Sequence, residues 1–443
     1  FGNALTLGSG TAGATLLNLG GSNTWSGPVT NAVTSTINVN AGTLTISGPI
    51  SGTGELIKTG IGTLVLPGAN SYTGLTAIVA GVLDVQTAAA LGNNASVAVG
   101  AAATLQIDGT GLTFTKTLIL AGTVNSLNGS NTWSGNVVTV AASSTFNVGA
   151  GQTLTLSGVI SGTYGLTVNK SGTGTLVLTN TNTYAGATSI EAGIVVVQNR
   201  WALGSTAGAT YVSSGATLQL EGGLTVAETI VLNGAGAAGT TGALESVAGA
   251  NTCTGYIGLA TASTIAVDAG QLTISGIIVA HGSLTEAGVG SLILSAVNTY
   301  TGGTTLNGGT LGGGGTLGTL LVNSGATLAP SSTTTHILRT GSVTFSAGST
   351  FAVALNGTTP GTGYDMLSVT GTVNLAGATL NVNVGFNPTI GTSFVIVQND
   401  GTDPLVGTFA GLAQGATFVI NGMTFQISYT GGTGNDVVLT RTA

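Results

Sequence analysis

The chain has 443 residues, of which 76 are glycine and only 4% are charged, against about 25% in an ordinary soluble domain. Its net charge is −7 and its isoelectric point lies near 4.5, so it has no basic stripe to displace the counterions of a nucleic acid. Thirteen acids, six bases and two histidines over such a length leave little from which to assemble a catalytic site.

Mean hydropathy is +0.52, yet no apolar run reaches the ~18 residues of a membrane-spanning helix. "GIVVVQ" (193–198) and "GIIVA" (276–280) are strand-sized. Aromatics, at 5%, are too sparse for the girdles of a transmembrane barrel. Thr, Val, Ile, Gly, Asn and Ser dominate, which favours strands and turns. Phe1 opens directly into "GNALTLGSG", as expected of a processed or excerpted chain. The single cysteine, Cys253, excludes an internal disulfide framework.

The first landmark is "GSNTWSG" at 21–27, which returns at 129–135 and, blurred, as "GANTCTG" at 249–255. Trp25 and Trp133 are expected to plug the interior, with Cys253 in the same place. Strand-like tetrads follow at 43 (TLTI), 63 (TLVL), 82 (VLDV) and 104 (TLQI). Within this run, "KTGIGTLVL" (58–66) and "NSYTG" (70–74) precede a second set. That set is "TLTL" (153), "KSGTGTLVL" (170–178), "NTYAG" (182–186), "IVVV" (194) and "TLQL" (217). A third set holds "QLTI" (271), "EAGVGSLIL" (286–294) and "NTYTG" (298–302). Three units of roughly 110 residues therefore contain a smaller period of about 20.

Twenty residues bury no face by themselves, but they make one coil of a solenoid whose strands bond the coils above and below. The expected fold is all-β: a right-handed parallel β-helix with ~20-residue coils, about 22 of them over the chain, and a C-terminal cap. Asn70, Asn182 and Asn298 are expected at turns, bonding their own backbone. Seven of the ten phenylalanines lie beyond 340, and Asn421-Gly422 in "TFVINGMTFQISY" is a hairpin signal. Residues 1–325 are thus expected to form the β-helix and 326–443 the final coils plus a cap that closes its edge.

"KTGIGTLVLPGANSYTGLTAIVAGVLDV" (58–85) and its two copies resemble the autotransporter-associated β-strand repeat, or passenger-associated transport repeat, of large bacterial surface proteins. "GATLAP" (325–330), "GYDMLSVTGTVNLAGATLNV" (363–382) and "GTFAGLAQGATF" (407–418) are similar to the autochaperone-like segment that ends such passengers. The resemblance implies a secreted, cell-surface β-helix. Such passengers precede a membrane barrel, whereas this chain stops at "VVLTRTA", so a cleaved or independently secreted protein is expected.

Candidate sites are few. "GGTGNDVVL" (431–439) fits half of a calcium-binding nonapeptide pair, with Asp436 as its acid. Asp400 and Asp403 in "NDGTD" are a second calcium candidate, though the bland reading of both is a solvated turn. Asp84 and Asp108 lie about one coil apart, the spacing that stacks two carboxylates. His281 and His336 are isolated. No other cofactor is expected, and no enzymatic activity. The functional expectation is a structural subunit of an extracellular fibre or surface layer, self-associating head to tail into a homopolymer. An adhesin binding glycans or surfaces through an exposed aromatic or polar patch is the alternative, and a polysaccharide-degrading β-helix enzyme is the third.

Overall fold

A computed structural model describes residues 1–142, 144–168, 172–331 and 334–443. Lys170, which opens the second "KSGTGTLVL", lies outside them. The contacts divide into two compact units, Phe1–Leu218 and Gln219–Ala443.

The tetrads are strands, and they stack in parallel. Thr43–Ile46 pairs with Thr63–Leu66, which pairs with the second half of Thr76–Val85, and so on to Ser96–Ile107 and Thr123–Ser126. Threonine points outward and leucine inward along each strand, as the period of two requires. In register, Leu44, Leu64, Leu83, Leu105 and Val124 form one column, each no more than 5% exposed. Each such side chain stabilises the fold by roughly 2 kcal/mol through burial, and no coil buries its own column without the next.

The fold is a parallel β-solenoid of about 16 turns, fewer than the 22 that a uniform coil implies. Register steps near 20 hold through the first unit. In the second they reach 27 between Thr225 and Thr252 and 29 between Phe351 and Leu380. The last strands leave the coil altogether.

The long repeat does not close on a whole number of coils. Five steps carry one column from Ser22–Trp25 to Thr123–Ser126. Ser130–Trp133 follows on the next side, in a different column with Thr113–Phe114, Thr153–Leu156 and Thr175–Leu178. The two "GSNTWSG" copies therefore face different sides of the solenoid.

Trp133 is a core plug as expected, 1% exposed and stacked on Phe114 at 4.9 Å. Trp25 is only half-buried: one side of its strand pairs with Thr43–Ile46, and the indole stacks on Phe1 at 5.6 Å. Cys253 is fully buried between Val226 and Ile274. What all three motifs share is the asparagine before these residues. Asn131 accepts from the Leu112 amide at 2.9 Å and donates to Gly109 and Asn128 carbonyls. Asn251 accepts from Leu224 at 2.7 Å and donates to the Ala248 carbonyl.

Parallel pairing continues through Thr327–Leu328, Thr350–Leu355 and Thr379–Val384. Antiparallel pairing then joins Ser393–Asn399 to Asp436–Arg441, and that strand to Met423–Gly431. The hairpin at Asn421-Gly422 forms as expected, with φ of 50° and 77°, both positive as a two-residue type I′ turn requires. Phe345, Phe351, Phe409 and Tyr429 contact one another in sequence.

Candidate functional site

In so weakly charged a chain, where the charges go is informative. Several are buried: Lys58, Asp84, Glu228, Glu245, Glu286, Asp365 and Asp436 are each no more than 6–7% exposed. Burying an ionisable group is costly unless it is paired or hydrogen-bonded, so each needs an account.

Several are spent on the backbone. Asp365 accepts from the His336 amide at 2.9 Å, the Ala354 amide at 2.8 Å and the Ser331 hydroxyl at 2.7 Å. Burial raises its pKa and these donors partly offset that. Asp436 accepts from the Asn399 amide at 2.9 Å. The fold brings its turn to the 399–403 turn: the Asn435 and Asn399 side chains both donate to the Asp403 carbonyl, at 2.8 and 2.9 Å. Of the calcium candidates, then, Asp436 is buried with one oxygen on a backbone amide, Asp400 is exposed, and Asp403 offers its carbonyl to two amide side chains. Among the described residues no group of three or more His, Cys, Asp or Glu is placed to hold a metal ion.

Asp84 does not stack on Asp108. Its register partner is Gln106, which donates to it at 2.9 Å, because Asp108 falls just past the strand end. The other Asp84 oxygen is buried with no partner, and burial raises the pKa. Asp108 accepts from Asn128. A tighter carboxylate pair escaped the sequence reading. Glu245 and Asp268 share the Thr241 hydroxyl at 2.6 and 2.7 Å, and Gln219 donates to Glu245 at 2.6 Å. His281 is exposed against Thr301 at 3.2 Å. Burial pushes the Cys253 thiol up to about 12, which makes it an inert core residue.

Lys58 and Glu286 open equivalent repeat segments and are treated oppositely. Lys58 donates to the Thr59, Gly60 and Ala80 carbonyls at 2.7, 2.8 and 3.0 Å, and burial lowers its pKa to about 8. Glu286 is 0% exposed, and neither carboxylate oxygen has a hydrogen-bond partner. Burial pushes its carboxyl up to about 9, the nearby Gly308 amide offsetting part of that. The signal was present in the sequence as a charge reversal between aligned "KTGIGTLVL" and "EAGVGSLIL".

The NSYTG, NTYAG and NTYTG turns are also clamps, and here the expectation is corrected. None of the three asparagines has positive φ, and they bond neighbouring coils rather than their own turn. Asn70 accepts from Ile50 at 2.8 Å and donates to Ala90 at 2.7 Å. Asn182 does the same with Ile160 and Ala202, at 2.8 and 2.6 Å. Asn298 repeats it with Ile278 and Thr316, at 2.9 and 3.2 Å. Two residues on, a buried tyrosine meets a threonine hydroxyl: Tyr72 with Thr76, Tyr184 with Thr188, Tyr300 with Thr304.

The outer surface carries exposed aromatics at Tyr164, Trp201 and Tyr211 in the first unit and Tyr256 in the second. The Arg200 guanidinium lies 5.2 Å from the centre of the Trp201 ring, and the Asn182 backbone N–H holds that loop by donating to the Trp201 carbonyl at 3.0 Å. An exposed arginine stacked on tryptophan presents a flat apolar face with donors along its edge.

Residues 56–85, 168–197 and 284–312 match the family model described as Passenger-associated-transport-repeat. Over 157 residues, 35% of its length, the chain is 36% identical to the protein named Adhesin BmaC autotransporter from Brucella suis biovar 1 (strain 1330). It spans 4% of that relative's length. Among solved structures, the Haemophilus influenzae Hap adhesin matches with a TM-score of 0.35 and 14% identity, over 94% of this chain and 60% of that one. Each matched segment contains one asparagine clamp and one tyrosine–threonine pair. This chain is a β-solenoid that carries three passenger-associated transport repeats, and its sequence likeness is to an autotransporter adhesin.

Proposed function

We propose that this chain is a length of a secreted, cell-surface adhesin-type passenger whose role is non-enzymatic. The solenoid serves as a scaffold, and exposed groups such as the Arg200–Trp201 pair meet a glycan or protein surface. The observation that carries this reading is the set of three passenger repeats beside the 36% identity to an adhesin. Asp365 and Asp436 favour it too, because these buried acids are occupied in holding backbone. The repeats and the adhesin likeness also rank surface display above the fibre or surface-layer subunit first expected. Filaments formed by the purified chain, seen by electron microscopy, would reverse that order.

The test uses beads coated with the purified chain, flowed over glycan-coated and matrix-protein-coated surfaces. Wild-type beads are expected to adhere above uncoated beads to at least one surface. Trp201→Ala is expected to lower adhesion about tenfold, equivalent to ~1.4 kcal/mol, with an unchanged circular-dichroism spectrum. Wild-type beads that bind no better than bare ones sink the proposal.

A further inference from the structure

Lys58 and Glu286 occupy one and the same place in two copies of the repeat. Lys58 is stacked between Ile37 and Ile78, and Glu286 between Ile265 and Leu306. Two residues on, Gly60 and Gly288 both take positive φ, 72° and 97°. A Cβ on either would stand 2.2 Å from the carbonyl of the valine below, Val39 or Val267. The turn above is also preserved, with Gly81 and Gly309 at φ of 70° and 54°. The backbone of the corner is thus the same, while the side chain it encloses has changed sign.

In the first copy the corner holds a cation: three backbone carbonyls converge on the Lys58 ammonium. The equivalent carbonyls in the third copy are those of Ala287, Gly288 and Gly308. The Gly288 carbonyl lies against the Gly308 turn, 2.6 Å from where a Cβ on Gly308 would stand. Glu286 points into the same corner, its Oε1 lying 3.3 Å from the corresponding Cβ position of Gly309. The Gly308 amide is the donor nearest the carboxyl, but it does not reach bonding geometry, and both carboxyl oxygens are buried without a partner.

We propose that Glu286 and the carbonyls of Ala287, Gly288 and Gly308 bind a hard, oxygen-seeking metal cation, with Ca²⁺ the best match. Lysine reaches about one bond beyond glutamate, so the space filled by the Lys58 ammonium corresponds to a point just past the Glu286 oxygens. A cation held by a carboxylate at ~2.4 Å sits there. A divalent ion with one carboxylate also restores the net single positive charge that Lys58 brings to its corner. Two carboxylate and three carbonyl oxygens are the hard donors that Ca²⁺ takes. Softer metals want sulfur or imidazole, and Cys253 and the histidines are placed elsewhere.

The test uses the whole chain, stripped with chelator and then melted in the chlorides of Ca²⁺, Mg²⁺, Na⁺ and K⁺. At a hundredfold excess over its dissociation constant, the bound ion is expected to raise the melting midpoint by about 3 °C. Metal analysis after dialysis should find one ion per chain. Glu286→Gln should lose both the shift and the ion. Glu286→Lys, which recreates the arrangement at Lys58, should lose the cation response yet melt at or above the stripped wild type. The four chlorides distinguish a divalent occupant from a monovalent one. Identical melting of the wild type in all four, or a response that survives both substitutions, overturns the proposal.

Discussion

Asparagine does more here than its usual work in turns. Each of Asn70, Asn182 and Asn298 bridges an amide one coil below to a carbonyl one coil above, though the Thr316 carbonyl reached by Asn298 also accepts from the Asn298 backbone amide. Removing such a bridge strands two buried groups, each worth about 1–3 kcal/mol. Asn182→Ala is therefore expected to cost about 3 kcal/mol in chemical denaturation, and Asn298→Ala less, because its donor bond is the longer one. A measured cost below 1 kcal/mol for Asn182→Ala would show that the corner finds other partners. Asp84 offers a test in the opposite direction. Its folded pKa lies above the usual 3.8, so the unfolded chain releases this proton first as pH rises. Its contribution is complete below about pH 4 and is lost as pH climbs through the folded value. Asp84→Asn removes the effect and should gain on the wild type as pH rises above about 4. Parallel melting curves at every pH would contradict this.

At the scale of the element, a tetrad such as "TLVL" specifies little more than an alternating strand. Its inward leucine is determined by the pattern, but its neighbours are determined by the residues between tetrads. Glycine, asparagine and serine there set where the chain turns, and a step near 20 then places leucine over leucine. The hairpin at Asn421-Gly422 was legible for a different reason. A two-residue loop needs positive φ at both positions, and few residue pairs supply it. The boundaries at the long strands were less legible. Thr76–Val85 and Ser96–Ile107 each run through what the tetrads marked as one short strand, because a shift of register between Ile78 and Ala80 lets one strand turn a corner without breaking.

For the molecule as a whole, the mismatch between repeat and coil matters most. Each coil contacts chiefly the coils beside it, so stability is close to a sum over neighbours. A deletion of residues 22–129 would join the start of one "GSNTWSG" copy to the next, and the solenoid should re-form with everything downstream advanced by one side. Such a chain is expected to keep a β-type circular-dichroism spectrum and a cooperative melt. Loss of folding would mean that the particular side each copy faces is essential. The same precession gives one repeat two orientations within the first unit, so the same side chains are displayed in different directions.

Composition and period by themselves determined that this protein is all-β, solenoidal and poor in titratable side chains. Those properties depend on which residues are present and how often, and parallel stacking is what an apolar column every 20 residues permits. The passenger repeat was legible for the same reason. Only the tertiary structure decided which backbone groups each asparagine joins, why Trp25 and Trp133 differ in burial, and that Glu286 fills the place of Lys58 with neither carboxyl oxygen bonded. Those depend on what lies one coil away, and residues some 20 positions apart in sequence become neighbours only when the coil has closed.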